Sequence, residues 1–151
     1  MQIFANCITP EELQPNSSKI VGAVDLANTL GCVLLVEDDA ASRRYLEVLL
    51  VRTGYEVVCA GDGLEAMRVL LSRTVNVVVT DAMMPKLNGY ELCRFVKSSP
   101  QLSHLPIVFL SALDKDNATS EAEQVNVFLS KPVSPEQLLS CLERLVSQSV
   151  K

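Results

Sequence analysis

The chain has 151 residues, 48% of them apolar and 21% charged, which suits one compact globular domain and is too short for two ordinary ones. Thirteen Lys+Arg against eighteen Asp+Glu give a formal charge of −5, a balance that disfavours nucleic-acid binding by phosphate neutralisation and adsorption to an anionic membrane. No apolar run approaches the ~18 residues of a spanning helix, and the first ten residues lack a basic region followed by an apolar stretch. A soluble cytoplasmic protein without membrane insertion is expected.

Residues 1–30 read as an N-terminal extension, partly flexible or docked on the domain or a partner. Thr9 and Pro10 suit the start of a short helix, and Val21 to Leu30 is mildly amphipathic. A domain is expected over 31–148, with a tail at 149–151. Cys32 to Val36 is an unalternated apolar run, as in a strand buried on both faces. Ala41 to Arg52 is helical in period and ends at Gly54. Tyr55 to Ala60 reads as the second strand. Asp62 caps a helix running to Ser72, with Leu64, Met67, Val69, Leu70 and Leu71 as its apolar positions. Val75 to Thr80 is the third strand and Gly89 to Val96 a short helix. Pro106 to Leu110 is the fourth strand and Val125 to Leu129 the fifth. Ser134, Pro135 and Gln137 open the last helix as a capping box, and Leu138, Leu139, Leu142, Leu145 and Val146 mark one face. Strand–helix alternation predicts an α/β fold, a doubly wound five-stranded parallel sheet of order 2-1-3-4-5 with helices on both faces.

In such a sheet, ligands bind beyond the carboxyl ends of the strands. Glu37, Asp38 and Asp39 follow the first strand, Asp81 the third, Ser111 the fourth, and Ser130 and Lys131 the fifth. Carboxylates, a hydroxyl and an ammonium therefore converge on one edge. Crowded carboxylates raise one another's pKa, which a divalent cation relieves. An all-oxygen donor set favours Mg²⁺ over zinc or copper. An oxygen nucleophile, a cation, a lysine and a positioned hydroxyl are the parts that phosphoryl transfer needs. The five cysteines are widely spread without a Cys-x-x-Cys pair, so neither a disulfide framework nor a zinc site is expected. Four of them lie in apolar segments and read as small core residues. His104 reads as a surface-loop histidine.

Val36-Glu37-Asp38-Asp39, Val79-Thr80-Asp81-Ala82-Met83-Met84-Pro85, Asn88-Gly89, Leu110-Ser111-Ala112 and Lys131-Pro132 together resemble the receiver domain of two-component response regulators, a stand-alone one of CheY-like fold. The resemblance covers Cys32 to about Ser147. It implies that Asp81 accepts a phosphoryl group from a histidine kinase or phosphotransfer protein. Asp38 is then the direct Mg²⁺ ligand beside Asp81, with Glu37 acting directly or through water and the Met83 backbone carbonyl completing the set. Asp39 is left between a metal role and a helix-capping one. Ser111 matches the switch hydroxyl, Lys131 the phosphoryl-pairing lysine, and Phe128 the aromatic whose rotamer follows Ser111. Pro132 sets the cis or turn geometry that presents Lys131. Met83 and Leu113 flank the path of attacking water, and both are apolar, so a long-lived acyl phosphate is expected. A downstream protein target reads the altered surface made by the helix before the fifth strand, that strand and the last helix. A homodimer is left open.

The sequence departs from the pattern between Ser111 and Lys131. Asp114 to Ser120 is polar and turn-prone, so the helix before the fifth strand is expected to be short or irregular. A stand-alone receiver without a DNA-binding segment in the same chain is expected, with a piece cut from a longer protein as the alternative. Met83 stands where an aspartate-nucleophile phosphatase needs its second aspartate. No glycine-rich phosphate loop follows the first strand, which disfavours a nucleotide or flavin module. The remaining alternative is a scaffold of the same fold that signals without phosphorylation. Self-catalysed phosphorylation and dephosphorylation, without turnover of a diffusible substrate, is the expected chemistry.

Overall fold

The computed structural model describes residues 29–84, 86–112 and 126–149. Its elements run β1 (Cys32–Val36), α1 (Ala40–Thr53), β2 (Glu56–Ala60), α2 (Gly63–Ser72), β3 (Val77–Asp81), α3 (Gly89–Ser98), β4 (Ile107–Ser111), β5 (Val127–Ser130) and α4 (Pro135–Ser149). All strand pairs are parallel, in the order β2-β1-β3-β4-β5. This is the predicted topology.

The unalternated apolar strands are explained by two cores, one on each side of the sheet. Val33, Leu35, Val77, Val79, Val108 and Leu110 pack against α1 and α4 through Leu46, Leu50, Leu138 and Leu142. The alternate positions Leu34, Val36, Val78, Ile107 and Phe109 pack against α2 and α3 through Ala66, Leu70, Leu92 and Val96. Successive side chains point to opposite faces, so both sets must be apolar. Each such buried Val or Leu contributes about 1.5–3 kcal/mol. The edge strand β5 is only half-buried. Cys32, Cys59, Cys93 and Cys141 are buried in the core, as expected, and His104 is exposed.

Several boundaries move for identifiable reasons. The third strand begins at Val77 instead of Val75, because the Asn76 side chain accepts the Cys32 amide (2.7 Å) ahead of the ladder. Asn126 acts alike: its side chain accepts the Ile107 amide (2.9 Å), and β5 starts one residue later. On α2, Leu64 and Leu71 are 45% and 73% exposed, so they are not part of its packed face. That face is Gly63, Ala66 and Leu70, which a glycine and an alanine make hard to read as apolar. At the last helix the Gln137 amide donates to Ser134 Oγ (3.4 Å), but the Ser134 hydroxyl donates to Glu136. The reciprocal capping box occurs at α3, between Asn88 and Glu91. Gly54 closes α1 at φ +120°, a conformation that favours glycine, and its amide bonds Leu50 and Val51. The extension before residue 29 and the weakly encoded helix before β5 lie outside the described residues.

Candidate functional site

The carboxyl ends of β1, β3 and β5 deliver the chemistry. Residue 37 follows β1 directly, Asp81 ends β3, and Lys131 follows β5. Carboxylate oxygens of Glu37, Asp38 and Asp81 all lie within 4.8 Å of one another. Lys131 Nζ donates to Asp81 Oδ2 (3.1 Å) and to Glu37 Oε2 (3.2 Å). Glu37 is 1% exposed and Asp81 7%, whereas Asp38 lies open at the mouth. Two of the acids are thus enclosed and one faces solvent.

Burial pushes the Glu37 carboxyl up to about 7, and the charge of Asp81 adds to this. The Asp39 amide and Lys131 pull the other way without overcoming it. For Lys131, burial works against the charge, but the hydrogen bonds and charges of Asp81 and Glu37 prevail and hold its pKa above the ordinary lysine value. The ammonium therefore stays charged between two acids. Three clustered carboxylates without imidazole or thiolate fit a small hard cation such as Mg²⁺.

The remaining expected residues divide. Asp39 leaves the cluster: it is exposed, and its side chain caps α1 by accepting the Ser42 amide (2.8 Å). Bonds from Ser42 hold its pKa below the ordinary aspartate value. The Met83 amide donates to Asp81 Oδ1 (3.3 Å), while the Met83 side chain is 58% exposed beside the site. Ser111 is buried at the end of β4, one residue past Leu110, which pairs with Asp81. Its carbonyl accepts the Lys131 amide (2.8 Å), so Ser111 and Lys131 share a backbone link. Phe128 is half-buried, its ring centroid 6.1 Å from that of Phe109. The Lys131–Pro132 peptide is cis. Leu113 and Pro85 lie outside the described residues.

Two residues important to this geometry carry little sequence signal. Arg43 Nη1 donates to the Glu37 carbonyl (2.8 Å). A Cβ on Gly89 would lie 2.4 Å from the Asp81 carbonyl oxygen, so only glycine lets α3 approach the end of β3 this closely. The Asn-Gly pair hints at a turn, but not at what the glycine meets.

The fold and site together define an α/β domain of doubly wound type that carries an acid cluster and a lysine on the carboxyl edge of its sheet. The model of the response regulator receiver domain matches residues 33–143, and the chain belongs to this family. PilG of Pseudomonas aeruginosa is 32% identical over 113 residues, covering 74% of this chain and 84% of PilG. A probable transcriptional regulator, ycf27, of Cyanophora paradoxa is 37% identical over 119 residues, 78% of this chain and 48% of the relative. The chain spans about half the length of such relatives. Among solved structures, CheY4 of Vibrio cholerae has 31% identity and a TM-score of 0.72, over 78% of this chain and 99% of that one. The receiver domain of the Pseudomonas aeruginosa sensor histidine kinase PA1611 has 28% identity and a TM-score of 0.71, over 78% and 98%; its structure has a magnesium ion coordinated in the active site cleft. Among the described residues no helix is long and apolar enough to cross a membrane.

Proposed function

We propose that this receiver domain takes a phosphoryl group on Asp81 from a histidine kinase or phosphotransfer protein and relays the change to a downstream protein target. The observation that carries the reading is the Lys131 ammonium bonded to both Asp81 and Glu37, with Asp38 in the same cluster. Glu37, Asp38 and Asp81, with the Met83 carbonyl, are the residues to hold Mg²⁺. When bound, the ion neutralises charge on the acids and on the transferring phosphoryl oxygens.

An Asp81 carboxylate oxygen attacks phosphorus. The P–N bond to the donor histidine breaks, and its electron pair and a proton end on the departing imidazole. The product is an acyl phosphate of roughly −2 charge with three acceptor oxygens. Lys131 exchanges its carboxylate bond for a phosphoryl oxygen, and Ser111 donates a further hydrogen bond. The backbone link between Ser111 and Lys131 moves the two together, and Phe128 packs toward the vacated space. Phosphorylation then shifts the balance between two arrangements by interacting better with one. In this reading the domain catalyses only its own phosphorylation and dephosphorylation, in the cytoplasm.

The test is incubation with acetyl phosphate and Mg²⁺ followed by intact mass. Wild type should gain one phosphoryl group, Asp81→Asn none, and omission of Mg²⁺ should abolish the gain. An unmodified wild type would leave the phosphorylation-independent scaffold as the better reading.

A further inference from the structure

We infer that Arg43 is a positioning residue for the cation site: it fixes the peptide joining Glu37 to Asp38 and so aims the exposed Asp38 carboxylate into the cluster. This rests on the reading of that cluster as a Mg²⁺ site.

Asp38 is the acid least supported by its surroundings, being exposed while Glu37 and Asp81 are buried. Its direction is set by the backbone that leads into it. The Glu37 amide donates to Ala60 O (3.1 Å), which ties residue 37 to the end of β2. Beyond that tie the chain leaves the sheet, and the Glu37 carbonyl is part of the peptide plane that enters Asp38. Arg43 Nη1 donates to this carbonyl at 2.8 Å. The arginine is itself anchored in the first turn of α1, where its amide donates to Asp39 O (2.9 Å). The bond is charge-assisted and half-buried, which makes it stronger than a neutral one.

The guanidinium lies beside the end of β2: a Cβ on Gly61 would lie 3.7 Å from Arg43 Nη1 and 3.6 Å from Glu65 Oε1, both ordinary van der Waals contacts. Glu65 accepts the Gly61 amide on the same side. The arginine thus ties the start of α1 to the β1–α1 turn, which the Glu37 amide in turn ties to the end of β2. With about 3 Å between Cα and a carboxylate oxygen, a swing of about 30° at the Asp38 peptide moves that oxygen about 1.5 Å, well outside the ~0.2 Å tolerance of a metal–ligand distance.

Charge opposes positioning here. The Arg43 cation near the site repels Mg²⁺, so charge alone predicts tighter binding when the arginine is removed. Positioning predicts the reverse. Supporting residues of this kind typically change metal affinity 10–100-fold, against which the repulsion between solvent-screened charges is small.

Isothermal titration of Mg²⁺ into the full chain at pH 8, without a phosphoryl donor, separates the two. Arg43→Gln should weaken binding roughly tenfold. Arg43→Lys, which keeps the charge and one donor but not the planar fork, should fall between the variant and wild type. Thermal midpoints in EDTA report fold integrity independently, and the Lys variant carries the test if the Gln variant does not fold. Affinity equal to or tighter than wild type in either folded variant overturns the role of Arg43. Absence of Mg²⁺ binding by wild type overturns the cation reading itself, and the role of Arg43 with it.

Discussion

Glu37 costs the metal-free fold stability above neutral pH, and Glu37→Gln should reveal how much. Its carboxyl is moved from an ordinary value of 4.5 up to about 7. At about 1.4 kcal/mol per pKa unit, that difference corresponds to about 3 kcal/mol at pH 8, where wild type must ionise Glu37 inside the fold. Glutamine is not a perfect neutral mimic. It replaces one acceptor oxygen by an amide NH₂, so either the Asp39 amide (3.2 Å to Oε1) or Lys131 (3.2 Å to Oε2) loses its acceptor. That loss costs about 1 kcal/mol, leaving a net gain of about 2 kcal/mol for the variant.

The sign follows from the raised folded-state pKa. The neutral acid is the favoured folded form, so the stability it contributes is fully present below pH 4.5 and is lost as pH rises to about 7. The advantage of the variant should therefore grow between pH 4.5 and 7 and level off above. Urea unfolding in EDTA at steps from pH 5 to 8 measures it. Saturating Mg²⁺ should reverse the order at pH 8, because wild type gains binding energy that the variant lacks. A variant no more stable than wild type at pH 8 without metal, or an advantage independent of pH, would refute the electrostatic account of this site.

Gly89→Ala should lower stability by about 1–3 kcal/mol through overpacking and slow acetyl-phosphate labelling of the folded fraction, since its Cβ would press on the Asp81 carbonyl oxygen from 2.4 Å. Thermal melts with labelling rates check this, and normal labelling would show that the acceptor strand tolerates the displacement. Met83→Asn and Leu113→Glu should each hasten decay of the acyl phosphate several-fold by supplying a group that orients water, where the native side chains have none. Decay followed by intact mass decides it, and no acceleration in either variant would count against the long-lifetime reading. Asn88→Ala removes the side chain that accepts the Glu91 amide (3.0 Å) and should cost about 1 kcal/mol, measurable by urea unfolding.

Sheet order and the edge at which chemistry collects were both readable from the residue pattern. Unalternated runs such as Cys32–Val36 are stable only when both faces are covered, and parallel strands place every strand-end residue on one rim. Glu37, Asp38, Asp81, Ser111 and Lys131 were legible for that reason. Features that depend on distances between segments remote in the chain emerged only on packing. It withdrew Asp39 from the cluster by giving its oxygen to Ser42, turned Leu64 and Leu71 to solvent, and brought Arg43 to the Glu37 carbonyl. Packing also set Gly89 against a backbone oxygen eight residues earlier, where a Cβ would press. Periodicity reports which face of an element is apolar. Which polar atom meets which is settled only when the packed layers fix their separations.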